Sequence, residues 1–177
     1  TGAMAIVLPH GVLFRGAAEG KIRTQTLQED IIEAVIGLPS NLFFGTSIPA
    51  AIVIFNKQKV NKEKVLFIDA SKGFVPGKNQ NVLGEKHIQR ITDIFTQFHD
   101  QKMEIGIVEE RFAYIASLTE IQENDYNLNI PRYVDTFEAE EEIDIQAVMQ
   151  EIKSLEAKRA ELDKEIDVYF KELGLSF

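Results

Sequence analysis

The stretch Leu38-Pro-Ser-Asn-Leu-Phe-Phe-Gly-Thr-Ser-Ile-Pro-Ala-Ala-Ile-Val-Ile-Phe55 places two aromatic residues and a polar loop between two apolar segments. The residues before it, Glu33–Leu38, are predicted to form a strand that stops at Pro39. The run Ala50–Phe55 is typical of a strand that is covered on both faces. The loop between them therefore lies at one end of a sheet, where binding sites tend to occur.

Two interpretations of Phe43 and Phe44 remain open from the residues alone. Aromatic side chains are mostly buried, which favours packing of both rings into the core beneath the loop. The alternative is that a flat ligand docks against them.

The preceding residues predict a strand at Met4–Leu8, a helix at Phe14–Asp30 and a second strand at Ala34–Leu38. A strand, a helix and a strand form a right-handed crossover, so the first two strands are expected to be parallel. The strand Ala50–Phe55 follows a loop of about ten residues and is expected to return antiparallel. The predicted fold class is therefore α/β.

Further along the chain, the pattern predicts a strand at Val65–Asp69, a helix at Gly84–Asp100, a strand at Phe112–Ile115 and a helical turn at Thr119–Glu123, with Thr119 as its cap. The acidic segment Glu138–Asp144 divides the chain into residues 1–137 and 138–177. A helix of about 28 residues is expected from Ile145 onward.

One stripe of that terminal helix is apolar, with residues at steps of three, four or seven, and Arg159 occupies one position of the stripe. The anchors predicted to bind a partner are Val148, Ile152, Leu155, Leu162 and Ile166.

Charge and composition restrict the functions of the chain. The net charge is −9, and Glu138–Phe177 contributes 12 acidic and 5 basic residues, so the acidic terminal segment is expected to face away from nucleic acid. The chain has no cysteine, which excludes disulfides and cysteine-based metal sites and is compatible with a cytoplasmic location. No apolar run reaches the roughly 20 residues of a membrane span, and a signal peptide is not expected.

Several motifs occur in one order along nearly the whole chain. They are Ala5-Ile-Val-Leu-Pro-His-Gly-Val-Leu-Phe-Arg-Gly-Ala-Ala-Glu-Gly-Lys-Ile-Arg23, the stretch 38–55, Val65-Leu-Phe-Ile-Asp-Ala-Ser71, Gly77-Lys-Asn-Gln-Asn81 and Glu123-Asn-Asp-Tyr-Asn-Leu-Asn-Ile-Pro-Arg-Tyr-Val134. Together they resemble the modification (methylation) subunit of type I restriction-modification systems. Members of this family are adenine-specific DNA methyltransferases that use S-adenosylmethionine.

The resemblance implies that the chain contains the C-terminal part of a Rossmann-like methyltransferase sheet followed by a long helix. By position, Phe43 is the aromatic expected against the flipped adenine, with Phe44 as its nearest competitor and more typical of a core residue. The family's glycine-rich cofactor loop and its Asn-Pro-Pro-aromatic motif do not occur in this sequence. We therefore expect the chain to belong to a larger subunit and to be inactive alone.

Contacts with DNA are expected from Lys78, Asn79, Gln80, Asn81 and Arg132. A solvated turn explains the first four equally well, and the asparagine-rich segment around Arg132 could instead satisfy its own backbone. The resemblance implies that the terminal helix packs with the specificity subunit, in a complex that also holds the restriction subunit. An exposed sheet edge could pair two copies of the chain.

A function of another class remains open without the resemblance, namely a noncatalytic α/β interaction module that pairs through its C-terminal helix. His10, His87 and His99 lack the spacing of metal ligands or of a nucleophile and its base, so surface or packing roles are expected for all three.

Overall fold

The computed structural model of the chain describes residues 2–136 and 145–172. The chain divides into two compact units, Thr1–Phe137 and Glu138–Phe177. The strands of the first unit are β1 (Ala3–Pro9), β2 (Ile32–Gly37), β3 (Ala50–Asn56), β4 (Lys64–Asp69), β5 (Gly106–Glu109) and β6 (Ala113–Ser117). Its helices are α1 (Ala17–Gln28), α2 (Glu85–Asp100) and α3 (Leu118–Glu123), with 3₁₀ turns at His10–Leu13 and Ile130–Arg132.

The six strands form one mixed sheet in the order β1-β3-β2-β4-β6-β5. This arrangement confirms the predicted α/β class. Strand β3 is antiparallel to both β1 and β2, as predicted for the strand after the aromatic loop. Strands β1 and β2 run in the same direction, but β3 lies between them, so the predicted crossover does not join neighbouring strands. The parallel neighbours are β2 and β4.

Each face of the sheet carries its own apolar cluster. One face packs beneath the His10–Leu13 turn, α1 and the segment after α3, with Leu13, Leu27 and Phe67 among its buried residues. The other face packs against Ile94 and Phe98 of α2. Burial of a large apolar side chain contributes about 1.5–3 kcal/mol, so these two clusters provide the main stabilisation of the sheet.

Three details of the helices and strands differ from the prediction. Helix α1 begins at Ala17 instead of Phe14, because residues 10–13 form a separate 3₁₀ turn. The cap of α3 is Ser117, whose hydroxyl accepts a hydrogen bond from the Glu120 amide, and not Thr119. Strand β5 was not predicted, because its four residues are too few to show an alternating pattern.

The second unit contains the helix α4 (Ile145–Glu172), whose 28 residues equal the predicted length. The acidic segment 138–144 and residue Leu173 of the predicted stripe lie outside the described residues. Among the helices that the structure describes, none is long and apolar enough to cross a membrane.

Candidate functional site

The ends of three strands that run in the same direction meet at one edge of the sheet, which we call the upper edge. Strand β1 ends at Pro9, β2 at Gly37 and β4 at Asp69. The loops that follow β2 and β4 are the aromatic loop (residues 38–49) and the polar loop (residues 70–84). Ligands of α/β proteins bind beyond the carboxyl ends of the strands, which makes the upper edge the candidate site.

The aromatic loop presents both of its phenylalanines to solvent. Phe43 is 41% exposed and Phe44 is 90% exposed, so the interpretation of Phe44 as a core residue is wrong. Asn41 and Gly45, which flank the two rings, adopt positive φ angles of 55° and 77°. The Thr46 hydroxyl then accepts a hydrogen bond from the Ile48 amide at 3.1 Å.

The polar loop is hydrogen-bonded to the aromatic loop through Asn81. Its backbone amide donates to the Asn41 carbonyl at 2.7 Å, and its side-chain amide donates to the Ser40 carbonyl at 2.9 Å. The sequence indicated a DNA contact for Asn81 but gave no sign of these two hydrogen bonds to the aromatic loop. The carbonyl groups that accept them are separated from Asn81 by 40 and 41 residues in the sequence.

The shape of the polar loop depends on a short antiparallel bridge between Val75 and Val82. A Cβ atom on Gly77 would clash with the Gln80 carbonyl oxygen, so the tip requires glycine. Lys78 and Asn79 are exposed at this tip, whereas Gln80 and Asn81 are partly buried. The hydrogen bonds of Asn81 thus join the polar loop, which carries four of the predicted DNA-binding residues, to the loop of the two phenylalanines. Contact of these four residues with DNA stays a prediction.

His10 lies directly after β1 at the same upper edge. Its ring packs over Gly37, and its Nε2 atom is buried without a hydrogen-bond partner. Burial lowers the pKa of His10 below its ordinary value of 6.5, opposed by a hydrogen bond with the Ala50 backbone and by the charge of Asp69. The neutral ring therefore has the packing role expected for it. His87 and His99 also bond within the fold, to the Gly84 amide and to Glu33 respectively.

The guanidinium of Arg23 joins three segments on one face of the sheet. It donates to the carbonyls of Val12 at 2.8 Å, Arg15 at 3.0 Å and Tyr126 at 2.7 Å. Arg23 therefore fixes the turn after β1 to the asparagine-rich segment. The sequence offered no sign of this role beyond the place of Arg23 at the end of a motif.

The asparagine-rich segment largely satisfies its own backbone, as its structural interpretation expected. The Asn127 side chain accepts from the Asn129 amide at 2.9 Å, and the Tyr133 hydroxyl donates to the Asn127 carbonyl at 2.6 Å. Arg132 is exposed, with one contact of 3.3 Å to the Asn124 side chain. Its predicted role in DNA binding stays a prediction.

Among residues 2–136 and 145–172, the enclosed apolar surface offers little that suits S-adenosylmethionine, and the inability of this chain to bind that cofactor alone stays a prediction. An apolar cleft of about 150 Å³ lies between α1 and β3, lined by Leu8, Ile22, Phe55 and neighbours. It offers few free polar groups to a zwitterionic cofactor, because the nitrogens of Arg23 there already bond carbonyls. Within residues 2–136 and 145–172, no three acidic or histidine side chains are grouped to hold a metal ion.

In the second unit, the predicted partner-binding residues of α4 are exposed wherever their side chains are described. The exposed fractions are 45% for Ile152, 57% for Leu155, 57% for Leu162 and 47% for Ile166. The side chain of Val148 lies outside the described part of the structure.

The amino-acid sequence of the chain is similar to those of a known protein family. Residues 1–142 match the family described as N-6 DNA Methylase. The chain is 39% identical over 171 residues to the type I restriction enzyme MjaVII methylase subunit of Methanocaldococcus jannaschii, covering 94% of this chain and 28% of that subunit. It is 34% identical over 176 residues to the MpnII methylase subunit of Mycoplasma pneumoniae, covering 99% and 31%. The chain thus spans less than a third of these relatives.

Two crystal structures share the fold. The type I restriction-modification methyltransferase subunit from Streptococcus thermophilus matches with a TM-score of 0.69 and 55% identity, over 77% of this chain and 27% of that one. The EcoKI M protein matches with a TM-score of 0.60 over 99% of this chain and 41% of that one, and at 18% identity this likeness concerns the fold alone.

Proposed function

Because this chain belongs to the N-6 DNA methylase family, we propose that it forms part of the modification subunit of a type I restriction-modification complex. That subunit transfers a methyl group from S-adenosylmethionine to the exocyclic amine of adenine in DNA. The relatives named as methylase subunits of type I restriction enzymes support this assignment. Since the chain spans less than a third of their length, the activity belongs to the longer subunit, working in the cytoplasm.

The exposed aromatic loop is the observation that carries the proposal. A soluble protein gains nothing in stability from a phenylalanine that is 90% exposed, as Phe44 is. An enzyme that modifies a base inside duplex DNA must extrude that base, and stacking against an aromatic ring offsets part of the lost base stacking. Phe43 is the ring proposed to contact the adenine, and the exposure of Phe44 makes it a direct competitor.

The polar loop supports the same role. Lys78 and Asn79 are exposed on the polar loop, and Asn81 joins that loop to the aromatic loop by hydrogen bonds. A lysine ammonium can neutralise a phosphate, and amide side chains can bond phosphates or base edges. We propose that Lys78–Asn81 contact the DNA backbone next to the extruded base, with Arg132 as a further contact.

Strand β1 supports the assignment of this chain to a larger methyltransferase sheet. A strand in the interior of such a sheet is apolar on both faces, whereas an exposed edge strand usually carries charge. Strand β1 is the outermost strand of the sheet, yet it carries apolar residues on both faces instead of charged ones. Met4 is 55% exposed, and Val7 on the other face is 52% exposed. We propose that the rest of the longer subunit adds strands beside β1, and that in its absence a second copy can pair there.

The exposed apolar stripe of α4 is proposed to bind the specificity subunit, within a complex that also contains the restriction subunit. An isolated helix gains little stability unless such a stripe is covered by other apolar side chains. The net charge of −9 also favours a chain that depends on partners to bind DNA.

The experiment that tests the aromatic loop is methyl transfer to DNA by the longer subunit carrying Phe43→Ala. Removal of the ring forfeits about 1–3 kcal/mol of base binding, so methylation is expected to fall by about fivefold to more than a hundredfold while the melting temperature stays nearly unchanged. Phe44→Ala is the matched control. Retained methylation in Phe43→Ala with loss in Phe44→Ala would assign the contact to Phe44, and full methylation in both variants would remove the loop from the site.

A further inference from the structure

The apolar stripe of α4 is interrupted at one position by a cation. Ile152, Leu155, Leu162 and Ile166 follow the alternating steps of three and four that place residues on one side of a coiled-coil helix. Arg159 lies four residues after Leu155 and three before Leu162, so it belongs to the same stripe. A partner helix that covers the apolar residues must therefore also cover Arg159.

Among the side chains of α4 that the structure describes, Arg159 has only a weak partner. Its side chain is 84% exposed, and its Nε atom is 3.7 Å from Oδ2 of Asp163, whose side chain is 63% exposed. This separation exceeds a hydrogen bond, and exposed ion pairs one helical turn apart contribute only about 0.3–0.5 kcal/mol. The guanidinium can therefore exchange Asp163 for a carboxylate on another chain at little cost.

We propose that α4 binds a helix of a different protein that places an acidic side chain against Arg159, and that Arg159 prevents α4 from pairing with a second copy of itself. A guanidinium covered by apolar groups without a partner is strongly unfavourable. A facing carboxylate removes this penalty and forms two parallel hydrogen bonds with the planar guanidinium. A second copy of α4 would place another arginine or a leucine opposite Arg159, and neither side chain can accept its hydrogen bonds.

Charges beside the stripe define the partner further. Glu156 and Asp163 are seven residues apart, exposed, and lie along the same side of the stripe, where residues of a coiled coil set partner choice. Two antiparallel copies aligned along this side would bring Glu156 and Asp163 of one copy against the same acidic residues of the other. The expected partner helix therefore carries basic residues facing Glu156 and Asp163, and one acidic residue within its apolar stripe, facing Arg159.

This inference rests on the proposed function, because the partner taken for the test is the specificity subunit of the same system. The measurement is the affinity of the longer subunit, purified with α4, for that subunit. Arg159→Glu is expected to weaken binding at least about a hundredfold, because it faces two carboxylates toward each other. Arg159→Lys keeps the positive charge but not the planar pair of N–H donors, so a smaller loss of affinity is expected.

Lys153→Glu is the matched control, since it reverses one charge of the same helix away from the stripe and is expected to leave binding unchanged. Failure of the unaltered subunit to bind the specificity subunit would reject the proposed partner. Binding by the unaltered subunit together with equal binding by Arg159→Glu would reject the role of Arg159 and leave the partner in place.

The second half of the inference is tested on the 177-residue chain by light scattering. Arg159→Leu completes the apolar stripe and is expected to raise the average mass of the chain toward twice its value at equal concentration, the limit for complete pairing. Adding Ile152→Asp to that variant is expected to reverse the increase, which distinguishes pairing through α4 from pairing through β1. An unchanged mass for Arg159→Leu would overturn the claim that Arg159 prevents self-pairing.

Discussion

At the scale of single residues, Arg23 connects segments that are distant in the sequence. Its three hydrogen bonds end on the carbonyls of Val12, Arg15 and Tyr126. None of these acceptors could be inferred from sequence spacing, because each is a backbone atom that only the fold brings near the guanidinium. The turn after β1 and the asparagine-rich segment are thereby held in one arrangement.

Replacing Arg23 is expected to destabilise the sheet unit. Arg23→Ala removes three charge-assisted hydrogen bonds and leaves partly buried carbonyls without donors, a loss of about 2–3 kcal/mol. Urea unfolding of the 177-residue chain measures it. Lys21→Ala, an exposed change on the same helix, should remain within about 0.5 kcal/mol of the unaltered chain. Equal stability of the two variants would show that the Arg23 bonds are not maintained in solution.

His10 is expected to make the stability depend on pH. Its folded-state pKa is lowered below 6.5 by burial, so in the range between the two pKa values the unfolded chain binds more protons than the folded chain. The contribution of the neutral His10 ring to the unfolding free energy is therefore fully present above pH 6.5. It decreases as the pH falls from 6.5 toward the lower pKa of the folded state.

The variant His10→Gln isolates this effect. On acidification from pH 7.5 to pH 5.5, the unaltered chain is expected to lose more unfolding free energy than His10→Gln, by up to about 1.4 kcal/mol per pH unit. The measurement is urea unfolding at each pH. Parallel pH profiles for the two chains would show that the His10 ring is not buried as described.

For the two phenylalanines of the aromatic loop, the sequence predicted the position in the fold but not the exposure to solvent. Their place between two strands was predictable, because apolar runs and prolines mark the strand ends. Their exposure was not, because the average tendency of aromatics to be buried argued for the core. The loop that carries them contains two residues with positive φ angles, Asn41 and Gly45, and it is bonded to Asn81 far along the chain, which are features that the local sequence does not reveal.

At the scale of helices and strands, every predicted segment from Met4 to Glu123 occurs in the structure, and the main differences are one strand that was missed and the starts of two helices. Helix α2 and strands β1 to β4 occur where they were expected, because each contains a clear helical or buried-strand pattern. Strand β5 has only four residues and a glycine at φ 129°. Ser117 and Thr119 both precede a suitable acidic or amide residue by three positions, and the end of β6 at Ser117 decides between them.

The stripe of α4 yields a prediction at this scale. The variant Ile152→Asp with Leu162→Asp would place two unpaired carboxylates in the proposed contact with the specificity subunit, at a cost of several kcal/mol. Both positions are exposed, so the variant should remain folded by circular dichroism. Co-purification with the specificity subunit is expected to be lost. A normal complex on size exclusion would rule out this face of α4 as the contact.

At the scale of the whole molecule, the sheet order underlies the likeness of this chain to a solved methyltransferase subunit. The strand pairing β1-β3-β2 brings the carboxyl ends of β1, β2 and β4 to one edge, where the aromatic and polar loops follow. The antiparallel return of β3 was predictable from the loop before it, but its insertion between β1 and β2 was not. That insertion depends on long-range pairing, which local patterns do not encode.

We propose above all that this chain supplies the base-holding part of an adenine methyltransferase and that the cofactor site lies in the rest of a longer subunit. The most direct test is mass spectrometry of nucleosides from DNA incubated with S-adenosylmethionine, the specificity subunit and either the longer subunit or this chain alone. We predict N6-methyladenine with the longer subunit, and neither methylation nor saturable cofactor binding with this chain alone. Methylation of a base other than adenine, or micromolar binding of S-adenosylmethionine by this chain, would contradict the claim.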